Sequence, residues 1–166
     1  MTRIGDTYRW IYGTLYRKPT NFSWVIEKTL AGSGLPGSSD ELEWLTKQGI
    51  KTIVTVRETP LPKSWIKKDL DYLHLNVEDY KAPTLEELDS IIEYIHYQLQ
   101  NNKPTVVHCL AGLGRTGTIL AGFIMKKNNK SYKDAIQTIR SKRPGSVQSE
   151  IQEMLLFKYE KYLTRK

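Results

Sequence analysis

Apolar residues recur three and four positions apart in some stretches of this chain and alternate with polar ones in others, and the two periods divide it into helices and strands. Near the start, Tyr8, Ile11, Tyr12 and Leu15 fall at helical spacing, with Pro19 as a stop. They predict a short helix whose aromatic face packs on the domain, or else serves as a wall or lid for a nearby site. Residues 22–31 read as strands, followed by a Gly- and Pro-rich loop over 32–37. Ser38-Ser39-Asp40-Glu41 has the form of a capping box that opens a helix running to Gln48, with Gly49 closing it. Ile53, Val54 and Val56 mark a strand, and Leu73, Leu75 and Val77 alternating with His74 and Asn76 mark another.

A second capping box, Thr84-Leu85-Glu86-Glu87, opens a helix with the apolar stripe Leu88, Ile91, Ile92, Ile95 and Leu99. A short strand over 105–107 precedes an apolar helix over 116–127. Helices over 132–142 and 150–162 follow, parted by Arg143-Pro144-Gly145-Ser146. Strands alternating with helices predict a single compact α/β domain with a mostly parallel central sheet flanked by helices. No repeat or linker divides the chain.

Composition narrows the class of protein. The chain has 166 residues, 39% hydrophobic and 26% charged, as in a globular domain with a sizeable core. Its longest apolar run, 119–125, is far short of the roughly 20 residues that span a bilayer, and residues 1–6 do not resemble a secretion signal. A cytoplasmic protein with no membrane partner is expected. The single cysteine, Cys109, excludes an internal disulfide. The excess of 25 Lys and Arg over 18 Asp and Glu gives +7, which steers anionic ligands towards the protein or simply keeps it soluble.

The chemistry gathers in His108-Cys109-Leu110-Ala111-Gly112-Leu113-Gly114-Arg115-Thr116-Gly117. Gly112 to Gly117 fits the G-x-G-x-x-G spacing between a strand and a helix, but the following segment, with Ala135, Ile136 and Ile139, is helical where a dinucleotide fold needs a second strand and its acidic residue. A nucleotide P-loop is excluded because Arg115, not lysine, opens the helix. A guanidinium holds two phosphate oxygens at once. The small residues Ala111, Gly112 and Gly114 let backbone N–H groups of residues 110–114 turn inward as an anion nest, at which the helix also points its positive end. Cys109 enters this cup from the strand, in surroundings that favour the nucleophilic thiolate.

The leaving oxygen needs a proton donor, for which Glu78 and Asp79, in the loop 78–83, are the candidates. Thr116 can donate to the cysteine sulfur or cap the helix. His108 ends a buried strand, as structural histidines do. His74 and His96 lack ligand spacing with each other or with Cys109, so neither metal nor cofactor is expected.

His108-Cys109, five residues, then Arg115-Thr116 resembles the signature of the cysteine-dependent protein tyrosine phosphatases, and residues 111–118 look most like the small atypical dual-specificity phosphatases of archaea and eukaryotes. The resemblance extends over roughly 21–164, through Asn21-Phe22-Ser23-Trp24-Val25, Leu30-Ala31-Gly32, Leu35-Pro36, the region of Asp79, and Arg143-Pro144-Gly145-Ser146. It implies a phosphatase domain at 21–166 and leaves unassigned the N-terminal helical extension at 1–20 that the spacing predicts. It also implies Cys109 as nucleophile, Arg115 with Leu110, Ala111, Gly112, Leu113 and Gly114 as phosphate site, and Asp79 as general acid. His108 would hold the loop and tune Cys109, and Gln148 would position water. Arg143 is structural or a rim residue in this reading, and Glu58 pairs with the arginine or the acid loop, or is a surface charge. The expected substrate is a phosphorylated protein, phosphotyrosine foremost, with phosphate or another oxyanion in the loop; nucleic acid is not an expected partner. An RNA- or nucleotide-directed phosphatase and a non-catalytic phosphate-binding module are the alternatives.

Overall fold

A computed structural model describes residues 3–165, so the outer ends of the two segments anticipated at 1–20 and 21–166 lie outside the described residues. Five strands form one sheet in the order β1-β2-β5-β3-β4. These are β1 (Ser23–Ile26), β2 (Leu30–Ser33), β3 (Thr52–Val56), β4 (Asp71–Leu75) and β5 (Thr105–His108). Only β1 runs antiparallel, paired with β2; the other pairs are parallel. The mostly parallel α/β architecture read from the sequence is therefore the one observed. Strand β5 lies at the centre of the sheet, and its side chains are buried throughout.

On one face pack α3 (Leu85–Gln100), α4 (Gly114–Asn128), α5 (Tyr132–Lys142) and α6 (Glu150–Leu163), around a core that includes Leu88, Ile92, Ile119, Leu120, Phe123 and Leu156. Helix α4 is buried from Gly114 to Met125, so its N-terminus is fixed beneath the end of β5. The opposite face carries α2 (Ser39–Lys47), whose Leu42 and Leu45 meet Ile53 and Val106.

Both capping signals set helix starts. Thr84 and Glu87 exchange the two bonds of a capping box. At α2, Ser38 Oγ accepts from the Glu41 N–H, but the Glu41 carboxylate accepts from the Gly37 N–H rather than that of Ser38. Helix α1 (Arg3–Tyr16) forms where the apolar spacing placed it, yet the opposite face docks. Gly13 is buried, and a Cβ there would collide with the Glu41 carboxylate. This glycine side faces the domain, and Tyr8, Ile11 and Leu15 point away from it instead of into its core.

Candidate active site

The cup is built by its carbonyls. His108 Nδ1 donates to the Cys109 carbonyl, the Leu35 N–H to that of Leu110, Asn21 Nδ2 to that of Ala111, Arg143 Nη2 to that of Gly112, and the Gly117 N–H to that of Leu113. Five consecutive loop carbonyls are thus drawn outward. A planar trans peptide sets each carbonyl opposite the next N–H, so the N–H groups of residues 110–114 face into the loop. Gly112 makes the turn at φ +78, and a Cβ on it would strike the Ser33 and Gly34 backbone.

Cys109 follows the last residue of β5 and is 3% exposed. Arg115 lies in the first turn of α4 and is 2% exposed. Its Nη1 donates to Glu58 Oε2 at 2.9 Å and to the Val77 carbonyl at 2.7 Å, and its Nη2 to Asp79 Oδ1 at 2.9 Å. Glu58 Oε1 accepts the Asp79 N–H at 2.8 Å, so one carboxylate ties the acid loop to the arginine. Partial burial works against the charged form of Glu58, but backbone N–H bonds and Arg115 outweigh it and hold its pKa below the usual carboxylate range.

His108 is fully enclosed, and burial lowers its pKa to about 4 against the bond to the Cys109 carbonyl, so it is neutral near pH 7. A carbonyl only accepts, which places the proton on Nδ1; Nε2 then accepts from Thr55 Oγ1 at 2.7 Å. Thr116 is buried with Oγ1 lacking a hydrogen-bond partner, and the helix N-cap is Leu113, not Thr116. The capping role is therefore not the one Thr116 plays.

A cleft of about 290 Å³ is lined by Asp79, Cys109, Leu110, Ala111, Gly114, Arg115 and Gln148, all anticipated from the sequence. Gly112, Leu113, His108 and Thr116 stand behind it. Four further residues line the cleft without having been anticipated: Gly5 and Arg9 from α1, Tyr80 and Gln152. Buried Gln152 accepts the Gln148 N–H and donates to the Lys81 carbonyl, bracing both cleft walls. Its signal in the sequence was the capping-box spacing Ser149-Glu150-Ile151-Gln152, which marks a helix start but not a cleft residue. Val147, a β-branched residue at φ +59, sits just before Gln148, strain of the kind that collects at functional sites. A larger groove of about 470 Å³ between α1 and α2 sets Asp40 and Glu41 beside Arg9 and Arg17, away from Cys109.

Arg143, read from the sequence as structural or rim, proves to be a buried brace. Its Nη1 reaches the Asn21 and Gly32 carbonyls and Ser23 Oγ, while Nη2 holds the loop at Gly112. Glu58 pairs with both the arginine and the acid loop, as one of its alternatives had it. Glu78 makes no contact with Arg115 and does not line the cleft. His74 bonds to the Arg57 carbonyl and His96 to Gln100.

Fold and cup together match those of the cysteine-loop phosphatase domains. The chain belongs to the dual-specificity and tyrosine phosphatase family, for residues 19–156 match the family model described as PTP-SAK, Swiss Army Knife protein, DSP-PTPase phosphatase domain. It is similar to protein tyrosine phosphatase domain-containing protein 1 of Mus musculus, 27% identical over 85% of this chain and 22% of that protein. It is also similar to phosphatidylglycerophosphate phosphatase PTPMT1 of Arabidopsis thaliana, 32% identical over 81% of this chain and 42% of that one. The chain thus spans less than half the length of either relative. The crystal structure of Tk-PTP in its active form superposes with a TM-score of 0.79 at 27% identity, covering 85% of this chain and 97% of that one.

Proposed function

We propose that the protein hydrolyses phosphate monoesters through a phosphocysteine, with phosphotyrosine in proteins as the substrate. The outward anchoring of five consecutive carbonyls carries this reading, because it leaves a ring of N–H donors over Cys109 that fits three equatorial phosphoryl oxygens. The Cys109 thiolate attacks phosphorus in line, forming the S–P bond as the ester P–O bond breaks. Arg115 and the N–H groups of Leu110, Ala111, Gly112, Leu113 and Gly114 stabilise the transferring group. An incoming dianion competes for Arg115 Nη2, which frees the Asp79 carboxylate to take up a proton from solvent and pass it to the leaving oxygen.

Water then attacks phosphorus and yields its proton to Asp79, and the S–P bond breaks to release inorganic phosphate and the thiolate. Gln148, steadied by Gln152, orients that water. The buried hydroxyl of Thr116 stabilises the departing sulfur, and neutral His108 fixes the carbonyl behind it. The aromatic rim residue Tyr80 and the apolar Leu110 and Ala111 beside Cys109 suit an aryl ring. A second reading, a phosphorylated lipid headgroup, is favoured by Arg9, which adds a cation to the cleft wall, and by the substrate in the Arabidopsis relative's name.

The test is phosphate release in chelator from a phosphotyrosine peptide, a phospholipid monoester and 5′-triphosphorylated RNA, for the native chain, Cys109→Ser and Asp79→Asn. Turnover of the peptide, abolished by Cys109→Ser and lowered by about 10² to 10⁴ in kcat by Asp79→Asn, is expected. Preference for the lipid or the RNA would reassign the substrate. Tight binding without release would leave a phosphate-binding module.

A further inference from the structure

Helix α1 is amphipathic in reverse. Its glycine side lies against α2 and the cleft, through Gly13, Gly5 and Arg9, while Tyr8, Ile11 and Leu15 form a continuous apolar strip on the opposite side, 59%, 44% and 70% exposed. Beside the strip the rings of Tyr8, Tyr12 and Tyr16 form a ladder, with centroids 5.9 and 4.7 Å apart, and Lys18 Nζ lies 5.7 Å from two of them. Arg17 and Lys18 follow directly, and Asp6 is the single acidic residue among 1–18. A domain with its own core has no use for such a strip on its outer surface.

We infer that α1 is an interfacial helix, which lays the Tyr8–Ile11–Leu15 strip on an anionic membrane surface while Arg17 and Lys18 meet the lipid headgroups. Tyrosines with an apolar body and a polar tip suit that depth, and a net charge of +7 supplies long-range attraction. At 14 residues the helix spans about 21 Å, too short to cross a bilayer but ample to lie in its interface. A second copy of the chain is a poorer occupant. Face-to-face helices would set cations against cations, and so narrow a strip offers well under the ~800 Å² per partner of a stable interface. The inference concerns binding alone and does not depend on the phosphatase reading.

The test is co-sedimentation of the full chain with vesicles of phosphatidylcholine, or of phosphatidylcholine and phosphatidylglycerol in equal parts. Binding to the mixed vesicles is expected, weakened about tenfold or more on phosphatidylcholine alone or in high salt. Ile11→Ser combined with Leu15→Ser should lower partitioning at least about tenfold, while hydrolysis of a soluble aryl phosphate and the unfolding midpoint stay unchanged. Leu15→Trp, which keeps the strip apolar, should show a blue shift in emission on mixed vesicles and supplies a readout if the double variant fails to fold. Absence of vesicle binding, equal binding by the folded double variant, or an unshifted Leu15→Trp spectrum overturns the inference. So does a concentration-dependent dimer of the native chain that the double variant abolishes, which would assign the strip to a second copy.

Discussion

Replacing Arg143 by methionine, which keeps much of the volume and deletes the guanidinium, separates the brace from the cup it holds. Burial pushes the Arg143 pKa down to about 10 from 12.5, opposed by the charge of nearby Cys109. That shift corresponds to a cost of about 3 kcal/mol for keeping the guanidinium charged inside the protein. Four acceptors lie 2.6 to 2.9 Å from it. Nη1 has two hydrogens for three of these acceptors, so three full charge-assisted bonds form, and at about 1.5 kcal/mol or more apiece they outweigh the cost by about 1.5 kcal/mol at their weakest. Arg143→Met strands those neutral acceptors and should destabilise the domain by about 3 to 5 kcal/mol, since each buried acceptor left unmade costs about 1 to 3 kcal/mol and some of them regain water. Urea unfolding measures the loss directly, and a thermal midpoint lower by roughly 6 to 20 °C should accompany it.

The second consequence is chemical. With the Gly112 carbonyl released, the Leu113 N–H loses its aim. At a temperature where the variant is fully folded, kcat on an aryl phosphate should fall about tenfold or more, approaching the loss from removing one oxyanion donor. A variant within about 1 kcal/mol of native stability that also turns over at the native rate would show that the loop holds itself, and would refute the brace.

The folded His108 takes a proton only near pH 4, the unfolded imidazole near 6.5. Its contribution to stability is therefore complete above about 6.5 and is lost as the pH falls towards 4, by about 3 kcal/mol in all; in urea titrations His108→Gln should flatten that part of the profile, and identical slopes would count against it. Glu58→Gln leaves one oxygen where two are used, so it can serve the Asp79 N–H or Arg115 Nη1 but not both. We expect kcat/KM to drop about ten- to a hundredfold, and an unchanged value would show that the tether is dispensable.

The sequence by itself carried the elements, since apolar period and capping residues are local. Thr84 and Glu87 are three residues apart, and their bonds form wherever that helix begins. It also carried the loop chemistry, because Cys109, the small residues and Arg115 lie within one strand-to-helix turn, although Asn21, Leu35 and Arg143 hold that turn in shape from a distance. Tertiary structure decided what depends on distant partners. Arg143 reaches Asn21 across 122 positions, and Glu58 reaches Arg115 across 57, separations at which no periodicity survives. Gln152 enters the cleft only because α6 packs beneath it. Helix α1 is the clearest division: apolar spacing predicted that it forms and misjudged which side docks. A hydrophobic pattern records which residues share a face, whereas which face meets the domain depends on a residue as distant as Glu41, whose carboxylate occupies the space a side chain at Gly13 would take.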